Sequence, residues 1–225
     1  MDLVSLRKAS GVAAILSAVS LIAGLILFVT TDIVNADNAA ELLAAIDADQ
    51  AMIGTALWLF TLFAVLWLIA VPGIFQALRP AGDLVWIAFL AAIIGSVFFL
   101  ISSITYLGVV YQLAPEYVAS GASSLLVVGD TLITTSDLSR FVGDAVSSGI
   151  GVLVFSLVIL RSGIARKWIG WLGLVVALAA WLGLLSPVAE VFEIIGLLAG
   201  TIGFAVWMIA IGVTLLRTPG DTATA

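Results

Sequence analysis

Asp137, Arg140 and Asp144 stand at i, i+3 and i+7, a spacing that sets three side chains along one face of a helix. A guanidinium flanked by two carboxylates has two binding chemistries open to it. Arg140 can hold an anionic group, or Asp144 can take a proton or a cation; the plainer alternative is a salt-bridge ladder at a membrane edge. Glu190 and Glu193, one turn apart, form a second acidic pair and could complete an all-oxygen site for Ca²⁺ or Mg²⁺. Acids that open a helix also gain about 0.3 to 1 kcal/mol each from its exposed amides and dipole, which needs no ligand. Ser102, Ser103, Thr105 and Tyr106 could line a polar cavity, or their hydroxyls could bond their own backbone.

The remaining chemical menu is short. The chain has no cysteine and no histidine, which excludes thiolate metal sites, cysteine nucleophiles, the usual zinc and haem ligands and any Ser-His-Asp triad. Phosphate-binding loops, dinucleotide fingerprints, nucleophile elbows and selectivity-filter sequences are absent as well. No catalytic residue, metal ligand or cofactor is therefore assigned, and a net charge of −6 does not suit a nucleic-acid partner.

The elements that must position these groups are membrane spans. Hydrophobic residues make up 63% of the chain and charged residues 10%, so the chain needs lipid as its solvent. Hydropathy and punctuation predict an all-α polytopic bundle, residues 1–217, with six transmembrane helices and a disordered cytoplasmic tail over 218–225. The spans fall at Gly11 to Thr30, Ala51 to Val71, Leu84 to about Leu107, about Phe141 to Leu160, Trp168 to Ser186, and about Val191 to Leu216. Pro72 and Gly73 should kink or end the second. An amphipathic turn of helix is expected over Ala39 to Ile46, and an exit loop over Tyr111 to Ser124. Leu125 to Ile133 is apolar but too short to cross, and predicts an extra extracytoplasmic, interfacial or re-entrant helix, with Ser136 as the N-cap of the helix that follows.

Cytoplasmic loops retain Lys and Arg, which tests the span count independently. With the N-terminus inside, Arg7, Lys8, Arg79, Arg161, Arg166, Lys167 and Arg217 fall on the cytoplasmic side and only Arg140 falls outside. This predicts a plasma-membrane protein with both termini cytoplasmic, and Trp86, Trp168 and Trp171 as anchors at the inner headgroup boundary. Small-residue stripes, Ser147, Ser148, Gly149 and Gly151 in the fourth span and Gly196, Gly200 and Gly203 in the sixth, suit close helix packing, within the chain or against other membrane proteins or a second copy.

The segments Leu6-Arg7-Lys8-Ala9-Ser10-Gly11 and Arg161-Ser162-Gly163-Ile164-Ala165-Arg166-Lys167-Trp168-Ile169-Gly170-Trp171-Leu172-Gly173 resemble a prokaryotic family of multi-pass proteins known only as domain of unknown function family 4386. The resemblance implies a six-span bundle and carries over no activity and no catalytic residue. Three functional classes remain, in this order: a non-enzymatic structural or regulatory membrane component, a small-solute or ion-binding transporter whose site faces outward between spans three, four and six, and a membrane enzyme in which carboxylates alone serve a metal-assisted hydrolysis.

Overall fold

Lipid offers no hydrogen-bond partner to an N–H or C=O group, so a chain this apolar must satisfy its backbone within each segment. The computed structural model of the chain describes residues 3–36, 38–185, 192 and 195–217, and among the described residues there is helix and turn but no strand. Helix α1 spans Leu3–Val29 and is followed by a short 3₁₀ turn, Asp32–Asn35. The amphipathic α2, Ala39–Ala48, is capped by Asn38, whose side chain accepts the Glu41 N–H at 3.0 Å, and it buries Leu43 and Ile46. Helix α3, Gln50–Leu78, then returns antiparallel to α1, and a tight turn through Gly82, at φ 121°, leads into α4, Leu84–Gly108.

The chain continues from α4 through a π-helical turn, Val109–Leu113, into α5, Ala114–Ser120, and reverses at Gly121, φ 65°. Helix α6, Ser123–Asp144, passes through a second π-helical stretch, Ala145–Val152, into α7, Leu153–Ser162. The turn at Gly163 precedes α8, Lys167–Gly183; a third π-helical stretch, Gly196–Ile202, precedes α9, Gly203–Arg217. Among the described residues, five continuous helical runs are long and apolar enough to cross a membrane: Ser5–Val29, Gln50–Ala81, Leu84–Ser120, Ser123–Ser162 and Ala199–Arg217. Lys167–Gly183 is apolar but shorter, at 17 residues.

Several local expectations are corrected. The exit loop expected over Tyr111 to Ser124 is helical as far as Ser120, and the segment expected as a separate helix is the first part of the unbroken run Ser123–Ser162. Gly129, which looked like an interruption, costs a helix only about 1 kcal/mol. Its bare Cα lets Leu113 and Leu43 approach to 3.1–3.2 Å of where a Cβ would lie, so packing outweighs propensity. Ser136 accordingly sits inside a helix and caps nothing. Pro72 does not end α3: the helix continues six residues further, to Leu78, and the Ser10 hydroxyl donates to the Ile69 carbonyl at 2.9 Å within the turn that the proline weakens. Glu190, Glu193 and the tail 218–225 lie outside the described residues.

Helix α1 packs between α3 and α9, α3 packs on α4, α4 on α6 and α7, α7 on α8, and α8 on α9, which closes a ring. Small residues set the closest crossings. A Cβ on Gly11 would stand 2.9 Å from the Gly212 carbonyl oxygen, and one on Gly212 would stand 2.7 Å from that of Gly11. Gly95 and Gly143 bring α4 and α6 together in the same way, and Gly151 packs on Ala92, so small residues of the fourth span serve contacts within the chain.

Replacing Gly95 by Val drives a Cβ to 2.6 Å from the Ser147 amide and 2.7 Å from the Gly143 carbonyl, backbone atoms that cannot step aside. Gly95→Val is expected to destabilise the protein by about 2 kcal/mol or more. Gly108→Ala, which meets nothing within 4 Å, should be neutral or stabilising by up to about 1 kcal/mol. Thermal unfolding of the purified variants in detergent checks the pair; equal midpoints would show that the α4–α6 crossing is looser than described.

Candidate functional site

Among the described residues, the columns α1, α3, α4, α6 with α7, α8 and α9 form a ring, and a ring leaves an axial space that large side chains must fill. In the middle of the bundle they do: Trp67 and Trp207 are both 0% exposed, and Trp67 meets Phe204 edge-on at 5.3 Å and Trp207 at 6.1 Å between ring centroids. At one end, Arg7, Leu78, Ala165 and Leu215 converge around a minor void of about 60 Å³, which gathers the basic helix ends together. At the other end the ring is hollow. A cavity of about 520 Å³ lies there, within the range of small-molecule pockets.

Every column of the ring contributes to its wall: Leu21, Leu25 and Phe28 from α1, Leu57, Phe60 and Phe63 from α3, and Phe99, Ser102, Ser103 and Tyr106 from α4. Ser136, Asp137, Arg140, Phe141 and Asp144 come from α6, with Ser148 from the π-helical stretch after it. Ala180, Gly183 and Leu184 close the α8 side, and Gly196, Gly200, Thr201 and Phe204 the last column. Phe63 and Phe204 meet edge-on at 6.2 Å and form the floor against the tryptophans. Val29 and Arg140, each about half exposed, bring the cavity to the surface.

The three residues singled out by spacing thus share one cavity wall. Arg140 Nε stands 3.9 Å from Asp137 Oδ1, both side chains about half exposed, and the guanidinium carbon lies 4.9 Å from the centroid of the Phe141 ring. So long and exposed an ion pair contributes between about 0 and 1 kcal/mol. Asp144 is half-buried and has no hydrogen bond or ion pair among the described residues. Two carboxylates against one guanidinium leave this wall net negative. Ser102, Ser103 and Tyr106 face the cavity while Thr105 does not; Ser136 Oγ donates to the Ser102 carbonyl at 3.0 Å and lies 3.0 Å from the Ser102 hydroxyl. Glu190 and Glu193 are not described, and no group of three or more carboxylates gathers as a metal site among the described residues.

Sequence reasoning missed the apolar majority of the wall and the π-helical stretches that flank it. A π-helical turn inserts a residue into the helical register and commonly marks a functional position. Here one begins directly after Asp144 and carries Ser148, and another carries Gly200 and Thr201. The available signal was the glycine density of both runs, Gly149 with Gly151 and Gly196 with Gly200. Gly200 has ordinary room, its nearest outside atom 3.8 Å from a built Cβ, so its missing side chain contributes open volume.

A family model described as Domain of unknown function (DUF4386) matches residues 9–212. The chain belongs to that family. The resemblance seen in Leu6 to Gly11 and Arg161 to Gly173 is thereby borne out. No curated protein and no solved structure matches the chain. The chemistry of this DUF4386 member is therefore read from its own cavity.

The hydrogen bonds and the ion pair on the wall differ in worth. Ser136→Ala removes the buried link between α6 and α4 and should lower stability by about 1 kcal/mol. Arg140→Ala should change it by less than about 0.5 kcal/mol. Chemical or thermal unfolding in detergent reads both, and the reverse order would mean that Arg140, and not the serine pair, ties the wall together.

Proposed function

We propose that the chain is a six-span plasma-membrane protein with both termini in the cytoplasm that binds a small molecule in a cavity facing outward. The cavity carries the reading: its size, its largely apolar wall and its few convergent polar groups are the features of a ligand site, and a purely structural component has no need of them. Among the described residues no reacting constellation accompanies it, which favours binding or passage over catalysis.

Length and charge support the orientation. The runs Leu84–Ser120 and Ser123–Ser162 hold 37 and 40 residues. At 1.5 Å per residue they reach about 55 to 60 Å, nearly twice a hydrocarbon core of about 30 Å. Their beginning and end, Leu84 and Ser162, stand among the basic residues, so the excess projects from the acidic end. There α2, the π-helical turn Val109–Leu113, α5 and the start of α6 share a small core of Leu43, Ile46, Val110, Leu113, Ala114 and Leu126. At the basic end Trp86, Trp168 and Trp171 are 42%, 49% and 62% exposed, as anchors facing headgroups would be, and the Arg79 guanidinium lies 5.5 Å from the Trp86 ring. The 17-residue α8, about 25 Å, completes the count as a short span.

Because the chain has no cysteine, one introduced thiol is a unique target. In intact cells a membrane-impermeant thiol reagent is expected to modify Thr201→Cys, in the cavity wall, from outside. Ser156→Cys, at a position 0% exposed, should stay unreacted, and Arg166→Cys should react only after the membrane is opened. A Thr201→Cys protein that reacts from neither side would overturn the outward-facing site; labelling of Arg166→Cys from outside would overturn the topology.

A further inference from the structure

We infer that the cavity takes a lipophilic organic cation, an ammonium or phosphonium centre carried on an apolar or aromatic body, with Asp144 as its counter-ion. The inference rests on the reading of the cavity as a binding site and adds the chemical class of its ligand.

Charge is the first observation. Arg140 already leans on Asp137, at 3.9 Å, and on the Phe141 ring, whereas Asp144 has no hydrogen bond or ion pair among the described residues. An ionisable side chain within a spanning helix is costly unless something compensates it, and among the described residues no base makes contact with Asp144. The free charge on the wall is therefore a negative one, which rejects an anion and suits a cation.

The wall itself is the second. Seven aromatic side chains line the cavity, among them Phe28, Phe60, Phe99 and Tyr106 opposite or beside α6. Aromatic faces attract a cation within about 6 Å through their quadrupole, and they offer the same surface to a ligand's apolar body. A small hydrated metal ion would gain little from such a lining. An organic cation gains from both parts of it.

The approach is the third. The segments 31–50 and 111–144, which lead to and from the cavity end, carry nine acidic residues and a single base, Arg140. A concave site surrounded by one sign of charge raises the local concentration of the opposite ion. The serines do not set the sign, since hydroxyls both donate and accept; with the Ser102–Ser136 pair already made, they leave Asp144 as the group that discriminates by charge.

Tetraphenylphosphonium and tetraphenylborate have the same shape and opposite charge, which makes them the decisive probes. With the full chain in nanodiscs, and empty nanodiscs as the partition control, tetraphenylphosphonium is expected to bind saturably and to protect Thr201→Cys from the thiol reagent. Tetraphenylborate should do neither. Asp144→Asn should weaken tetraphenylphosphonium about tenfold or more, the scale of one lost charge contact. Arg140→Gln should strengthen it severalfold, and so gives a readout in the opposite direction should Asp144→Asn fail to fold. Gly200→Leu, which fills the cavity from a position with room for a side chain, should abolish binding. If tetraphenylborate binds as well as tetraphenylphosphonium, or if neither ion protects a Thr201→Cys that is labelled, the cation inference is wrong while the cavity still stands. If Thr201→Cys is not labelled at all, both fall together.

Discussion

The indole of Trp67 is the contact on which the architecture turns. Six helices arranged in a ring cannot all touch at the axis, and the space between them has to be occupied or left empty. Trp67 reaches it from α3, meets Phe204 and Trp207 of α9 edge-on, and donates its N–H to Ser147 Oγ at 3.3 Å in the π-helical stretch of the fourth column. One side chain thus joins three columns that are not neighbours in sequence. It also divides the axis: Phe63 and Phe204 pack with it from above and are at the same time the floor of the cavity. The hollow is defined by where this plug stops.

The plug is tight enough to leave polar atoms stranded, and that sets it apart from the cavity. Ser156 Oγ and Trp207 Nε1 are buried without a partner among the described residues, and both crowd Gly173, where a Cβ would collide with the serine hydroxyl. Each unmet polar atom costs about 1 to 3 kcal/mol, so this region is held by shape against its hydrogen-bonding preference. In the cavity the opposite holds. Its polar atoms, Asp144 foremost, stand against open volume, where water or a ligand can reach them.

The sequence made the columns legible because hydropathy over about 20 residues is a local property that lipid enforces directly. The i, i+3, i+7 spacing of Asp137, Arg140 and Asp144 placed them on one face, where they share one wall. It misread the stretch from Tyr111 to Ser136, because Gly129, Pro115 and the run of small residues look like punctuation when taken alone. What makes that stretch helical is remote: Leu43 of α2 and Leu113 packed on Gly129, and Ser102 of α4 bonded to Ser136. Pro115 lies within the run Leu84–Ser120 just after the π-helical turn, and the Val110 carbonyl of that turn accepts instead from the Gln50 side-chain amide at 3.0 Å. The cavity was not legible at all, since a hollow is a statement about what six separate segments fail to fill.

The position of Asp144 along its column explains why its charge is left free. Residues 144 and 161 differ by 17 positions, about 25 Å of helix, which sets Asp144 close to one face of a hydrocarbon core of about 30 Å if Arg161 marks the other. Arg140, one turn further out, has a side chain long enough to turn toward water, and it does so, toward Asp137 and across the Phe141 ring. Turning inward to Asp144 would bury a guanidinium among phenylalanines to gain a contact that water already offers it outside. The base therefore contacts the carboxylate nearer the helix end, and the deeper one faces the cavity with no contact among the described residues. A carboxyl group without a contact at this depth is tolerated with water or a cation beside it or with a proton on it, and the open volume at the head of the ring admits each of these.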